Sequence, residues 1–324
     1  MTKIQQVLFE VAAPYFGHPY FVTGHALFNA LARRVDAATR EALCVSHGVF
    51  VPGEYGEFPD VASQDGYGGK LGKSLPEVSS YDDLFLFRDA AQRWLLDKRP
   101  RDAHNVLDVQ THGGRLSFAP TCWFGRPPAN RNRRRSVSWY VQCYVHGDGE
   151  GVVPLDEDVL DGLRVGGARN YGFGELSVAD TQLVDLDALD YSRLKAAQGG
   201  AGQYELELVS PFVVDTDAPN GDAQSVPWWW GVDSIDTVGG VSPDGLRRRT
   251  TRLVDGSASY AVETVDHGQV VGYAGDDPVA TALNGVLRVG THSRFGFGEL
   301  RVRPPGGERV SVRAGGDVTD GEVS

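Results

Sequence analysis

Lysine is scarce in this sequence: five of its 31 basic residues are lysine and the rest are arginine. Cysteine is scarcer still. Cys44, Cys122 and Cys143 are unevenly spaced and form no CxxC pair, which argues against a disulfide framework and a zinc site and casts them as ordinary buried thiols. No stretch approaches roughly 18 uninterrupted apolar residues. The start, MTKIQQVLFEVAAPYF, lacks a charged segment followed by a clean apolar run and a cleavage site. These absences predict a cytoplasmic protein with no membrane partner.

Positive charge is also in deficit overall. The formal net charge of −12 argues at first against a polyanionic partner, because a uniformly negative surface repels phosphates. The preference for arginine over lysine, together with abundant aspartate, suits a haloarchaeal proteome, in which acidic surfaces keep proteins soluble in salt. The acidity then describes the host, and what matters is where the positive charge is concentrated. With 324 residues, 41% of them hydrophobic, the chain can bury a real core as one large domain or two ordinary ones.

An internal repeat organises the chain. Leu163 to Leu176 reads LRVGGARNYGFGEL and Leu287 to Leu300 reads LRVGTHSRFGFGEL, so nine of fourteen positions are identical. Each copy follows a helical segment: PLDEDVLDG, with Asp156 as N-cap, and DDPVATALNG, with Asp277 as N-cap and Pro278 at the first helical position. Each then enters an alternating strand, ELSVADTQLV or ELRVRP.

Upstream segments complete a βαββαβ pattern. In the first half these are the strand IQQVLFEVA, the amphipathic helix GHALFNALARRV, and the strands RLSFAPTCWF and SVSWYVQCYV. In the second half YELELVSPFVV opens as a strand, and ASYAVETVDHGQVVGYAG reads as a hairpin turning at Asp266 to Gly268. Its first helix is not evident; WWWGVDSID replaces or precedes it. The expected fold is α+β: two tandem ferredoxin-like, RRM-like βαββαβ domains, each with a glycine-rich loop between last helix and last strand. The expected division is residues 1–195, residues 203–304 and a flexible polar tail at 305–324, with the boundary in KAAQGGAGQ.

The pattern GxxxxxGFG, at Gly166, Gly172, Phe173 and Gly174 and again at Gly290, Gly296, Phe297 and Gly298, resembles the glycine-rich loop of the CRISPR-associated RAMP superfamily of RNA binders. Glycines at positive φ let a backbone approach a sugar-phosphate chain and present N–H groups to it. Arg169 and Arg294 lie inside the loops, as does His292, and could add contacts. A glycine turn that merely links helix to strand is the alternative.

Within that superfamily the run YFVTGHALFNALARRVDAATREALCVSHGVFVP looks most like the CRISPR repeat-processing endoribonucleases: a strand, a helix from Gly24, a short helix capped by Asp36, then His47 entering an extended segment. The resemblance implies His47 as general base in metal-independent cleavage, with Tyr20 or His25 as partner or acid, and neither metal nor cofactor. Histidine suits proton abstraction from a ribose 2′-hydroxyl because its pKa lies near neutrality. The family's usual lysine near the base has no counterpart before Lys70. The other reading of His47 is a partly buried histidine closing a helix C-terminus. His18, His104, His112, His146 and His267 show no metal-binding spacing.

Two arginine clusters offset the acidity. GRPPANRNRRR, with Arg126, Arg131, Arg133, Arg134 and Arg135, links two aromatic strands, and LRRRTTR adds Arg247, Arg248, Arg249 and Arg252. Either could bind phosphates or stack on bases; a solvated loop is the ordinary alternative. Trp228, Trp229 and Trp230 cannot all face one side of a strand, so one at least is exposed for stacking or both faces are buried. Three functions compete: an endoribonuclease acting on CRISPR repeat RNA through His47, a non-catalytic RAMP subunit that holds guide RNA beside other effector subunits, and a scaffold in which the repeat is structural alone.

Overall fold

A computed structural model describes residues 2–18, 21–52, 74–89, 117–118, 121–124, 135–149, 151–197, 204–231 and 246–304. They form a mixed α+β structure whose strand ladders are all antiparallel. The residues expected to form a tail, 305–324, lie outside the described set. None of the described helices is long and apolar enough to cross a membrane.

In chain order the first half contains β1 (Lys3–Val11), β2 (Tyr15–Phe16), β3 (Phe21–Val22), α1 (Gly24–Leu31), α2 (Ala37–Ala42), β4 (Leu43–Val45), β5 (Gly48–Pro52), β6 (Ser117–Phe118), β7 (Thr121–Phe124), β8 (Arg135–Gly147), α3 (Glu157–Leu160), β9 (Leu163–Arg164), β10 (Glu175–Asp185) and α4 (Ser192–Ala197). The strand β8 is the long member of an eight-stranded sheet ordered β3-β5-β8-β1-β10-β9. One side of β8 pairs with β1, and the other is shared in succession by β7, β5 and β4. The strand following α1 beside β8 is therefore formed chiefly by GVFVP, and not only by the expected RLSFAPTCWF, which supplies β6 and β7. Asp36 caps α2 by accepting from the Thr39 backbone N–H at 3.0 Å. Asp156 occupies the N-cap position of α3 but makes no cap bond, consistent with a helix of only 4 residues.

The second half contains β11 (Glu205–Leu208), β12 (Phe212–Thr216), β13 (Trp230–Gly231), β14 (Arg248–Asp255), β15 (Ala258–Val265), β16 (Val270–Tyr273), α5 (Pro278–Leu287) and β17 (Leu300–Arg303). The cap at Asp277 is as read: its carboxylate accepts from Val279 and Ala280, with Pro278 in the first turn. The hairpin does not turn at Asp266 to Gly268. It turns at Gly256, whose φ of 60° permits the tight Asp255–Ala258 connection between β14 and β15. Residues 266–269 instead carry one line of chain from β15 in a three-stranded sheet (β12-β15-β14) to β16 in a four-stranded sheet (β13-β16-β11-β17). YELELVSPFVV bends likewise into β11 and β12 around Pro211. The Leu208 N–H donates to the Gln269 carbonyl at 2.8 Å, which keeps the ribbon paired through the bend.

Two large apolar clusters fill the interior, and each draws on both halves. One joins Val7, Phe28, Val45 and Val141 to Val213, Leu253, Phe295 and Phe297. The other joins Ile4, Tyr81, Tyr144 and Val184 to Leu206, Trp230, Val286 and Leu300. Buried ion pairs cross the same boundary: Arg88 with Glu299 at 2.7 Å, and Arg301 with Asp89 at 2.9 Å. Trp228 is 77% exposed, Trp229 half-buried and Trp230 buried; the first two form a turn ahead of β13, so the turn and not strand alternation divides the tryptophan run.

Candidate nucleic-acid interface

The two glycine loops have one backbone conformation. Gly166, Gly172 and Gly174 take φ of 79°, 86° and 73°; Gly290, Gly296 and Gly298 take 90°, 92° and 78°. Between them Ala168 and His292 are also left-handed, at 55° and 62°. Val165 N–H donates to the Gly174 carbonyl and Val289 N–H to the Gly298 carbonyl, each at 2.9 Å. Gly174 and Gly298 then donate to Pro14 and Pro211 at 2.8 and 2.9 Å. The repeat thus extends beyond the motif to the proline that follows the end of the first strand of each half, Pro14 after β1 and Pro211 after β11.

Their surroundings differ. The first loop is open: Tyr171 is 79% exposed, and a cavity of about 660 Å³ beside it is lined by Gly166, Arg33, Arg34, Arg164, Arg169 and Asn170. Arg34 is held in place by the carbonyls of Val159, Asp161 and Gly162. Arg164 pairs with Glu175 at 2.9 Å. The second loop is covered by α1. Phe28 stacks edge-on against Phe295 at 4.9 Å, Arg294 lies 4.6 Å over Phe28 and donates to the Arg40 carbonyl, and Gly24 abuts the Phe295 backbone. His292 Nε2 is hydrogen-bonded to Thr216 at 3.1 Å. Gly296 leaves no room for a side chain because His47 lies against it.

His47 does not close a helix. It sits between β4 and β5, 4% exposed, with Nδ1 lacking a hydrogen-bond partner among the described residues. Phe21 packs on its ring at 4.7 Å and also on His18 and His267, at 3.8 and 5.5 Å. His25 is hydrogen-bonded to Thr23 at 3.1 Å and bears electrostatically on His47. Tyr20 lies outside the described residues. Burial lowers all four histidines: His18 and His25 to about 4, His267 below its ordinary value and His47 well below it, with neighbouring histidines and Arg88 adding to the His47 effect. All four are therefore neutral at pH 7.

A stability prediction follows from the sign of these shifts. Folded-state values lie below the ordinary value of about 6.5, so the unfolded chain takes up protons first and stability falls as pH drops below about 6.5. Each buried histidine contributes a slope of up to about 1.4 kcal/mol per pH unit. Urea unfolding at pH 7 and 5.5 should give a lower midpoint at 5.5, and His47→Asn should flatten that dependence. An unchanged slope in the variant would remove His47 from the account.

The arginine clusters are only partly visible. β7 and β8 pair with Phe124 opposite Arg135, so the aromatic strands do form a hairpin. Arg126, Arg131, Arg133 and Arg134 in its connection lie outside the described residues. Arg248 and Arg249 open the edge strand β14, Arg247 immediately precedes it, and all three are exposed. Arg247 pairs with Asp266 at 3.1 Å and Arg248 with Glu263 at 3.0 Å. Arg249 has no ion-pair partner among the described residues, and its charge bears on His18 and His267. Sequence reading missed Arg33, Arg34 and Tyr171 at the first loop and the grouping of His18 with His267, because no spacing in the chain announces either gathering.

No family model matches the chain, and no curated protein matches it. Among solved structures it is similar to a RAMP protein that binds different RNA substrates, at 10% identity over 94% of this chain and 100% of that one, with a TM-score of 0.39. It is similar also to the product of a Cas6-related gene from Pyrococcus furiosus, at 9% identity over 93% and 98% of the two chains and a TM-score of 0.36. A third is a Cas6 product complex, at 12% identity over 94% and 100%, with a TM-score of 0.28.

Proposed function

We propose that this chain is a CRISPR-associated RNA-binding protein of RAMP type, built from two ferredoxin-like halves, 1–195 and 203–304, the second with β12 and no helix between its first two strands, and with the first glycine loop as its open RNA-facing surface. Strand order supports the two halves. Reading β1, β5, β8 and β10 as first to fourth strands gives the order 2-3-1-4, and β11, β13, β16 and β17 give the same order. The observation that carries the function is the loop at Gly166 to Gly174. Its glycine backbone, exposed Tyr171 and surrounding Arg33, Arg34 and Arg169 offer N–H groups, a stacking face and charge to a single strand. CRISPR repeat or guide RNA is the proposed ligand, with other effector subunits as further partners.

The neutral histidines favour one further reading: cleavage of the bound RNA, with His47 as general base and His25 or Tyr20 assisting. In this reading the half-buried His18 and His267 form the edge nearest solvent, beside Arg249. A labelled repeat RNA incubated in EDTA tests both. Binding should weaken with salt, and Arg33→Ala with Arg169→Ala should each reduce the log–log salt slope by about 0.7. Absence of RNA binding at low salt would sink the proposal. Cutting that disappears in His47→Ala establishes the catalytic reading; binding without cutting leaves an RNA-holding subunit.

A further inference from the structure

Cys44 on β4 and His146 on β8 are direct cross-strand partners, and Asp148 follows two residues on. A sulfur, a ring nitrogen and a carboxylate oxygen from the three lie within 4.8 Å of one another. His146 is 4% exposed. Its Nε2 has no hydrogen-bond partner among the described residues. A buried ring nitrogen without a partner is costly, and it is left for a ligand. The Cys44 thiol donates to the Ala42 carbonyl at 3.8 Å, and burial pushes it up to about 11.

The group opens on a cavity of about 630 Å³ lined also by Thr2, Lys3, Arg288 and Ser293. Arg288 is the repeat counterpart of Arg164. Arg164 pairs with Glu175, whereas Glu299 is taken by Arg88, and both terminal nitrogens of Arg288 are buried without a partner among the described residues. Its charge bears on Cys44 and favours the thiolate.

We propose that Cys44, His146 and Asp148 bind a divalent cation of the zinc class, with the fourth coordination position facing this cavity. A thiolate, an imidazole and a carboxylate are the donors such an ion takes, and its bond lengths set ligand atoms about 3.5 Å apart. Asp148 is the exposed member of the three, the side chain with room to adjust toward that spacing. Binding exchanges the thiol proton for the metal: the S–H bond breaks, a metal–sulfur bond forms and the proton leaves to solvent. Thiolate and carboxylate together neutralise the ion, so Arg288 meets no net positive charge. The spacing of the three cysteines gives no sign of this site because its ligands come from two strands distant in sequence.

Full-length protein stripped with EDTA and titrated with Co²⁺ provides the test. The site predicts a sulfur-to-cobalt charge-transfer band and intense visible bands of a four-coordinate ion, both displaced by one equivalent of Zn²⁺. Cys44→Ser should lose the charge-transfer band while keeping its far-ultraviolet circular dichroism, and Cys122→Ser should retain it. Asp148→Asn, at an exposed position, should bind on the order of tenfold or more weakly. No charge-transfer band in folded wild-type protein, or a band that survives Cys44→Ser, overturns the proposal.

Discussion

Gly298→Ala should cost about 3 kcal/mol or more, whereas Gly172→Ala should cost only about 1–2 kcal/mol. Both glycines are left-handed, at φ of 78° and 86°, so both substitutions carry the left-handed penalty. The difference lies in space. A Cβ at Gly298 would fall on the Val289 carbonyl oxygen, well inside van der Waals contact, while nothing lies within 4 Å of one at Gly172. Relief by backbone movement is blocked, because Gly298 donates to Pro211 and accepts from Val289, both at 2.9 Å. Phe297 and Leu300, on either side, are buried in different clusters. Against a total stability of about 5–15 kcal/mol such a loss is large. Urea unfolding followed by circular dichroism measures it, and equal midpoints for the two variants would refute the steric account.

The second large effect concerns Arg88. Its guanidinium pairs with Glu299 at 2.7 Å, and the two side chains are 5% and 1% exposed. Burial pushes the Glu299 carboxyl up, and Arg88 and Arg288 pull it back. Arg88→Met should destabilise the fold by about 3–5 kcal/mol, since it strands a buried carboxylate. Adding Glu299→Leu should recover much of that loss, because the desolvation cost of the second charge goes with it. A double-mutant cycle reads the coupling. If the double variant is no more stable than Arg88→Met, the pair is not the unit described here.

The sequence was most legible where chemistry is local. Asp36 and Asp277 cap their helices because a carboxylate two or three residues ahead of a free N–H needs no tertiary help. The duplicated loops were equally plain, since each glycine answers a positive φ set within a dozen residues. The hairpin was misplaced because Asp266-His267-Gly268 carries turn residues but serves as a bend between two sheets, and pairing with β11 and β12 decides that. Asp255-Gly256, the real turn, was passed over. At the site, the contact of His47 with Gly296 joins residues from opposite halves. Its companions His18 and His267, and the arginines around Tyr171, are gathered by packing of α1 and β15, which no spacing encodes.

The cover that α1 provides over the second loop has an evolutionary consequence. Where the first copy presents Tyr171 to solvent, the second has its counterpart Phe295 clasped by the chain's own helix. A duplicated loop whose face is filled by a neighbour from the same chain is tied to that companion. Tyr171 and Arg169 can then vary without regard to α1, whereas Phe295 and Arg294 must change in step with Phe28.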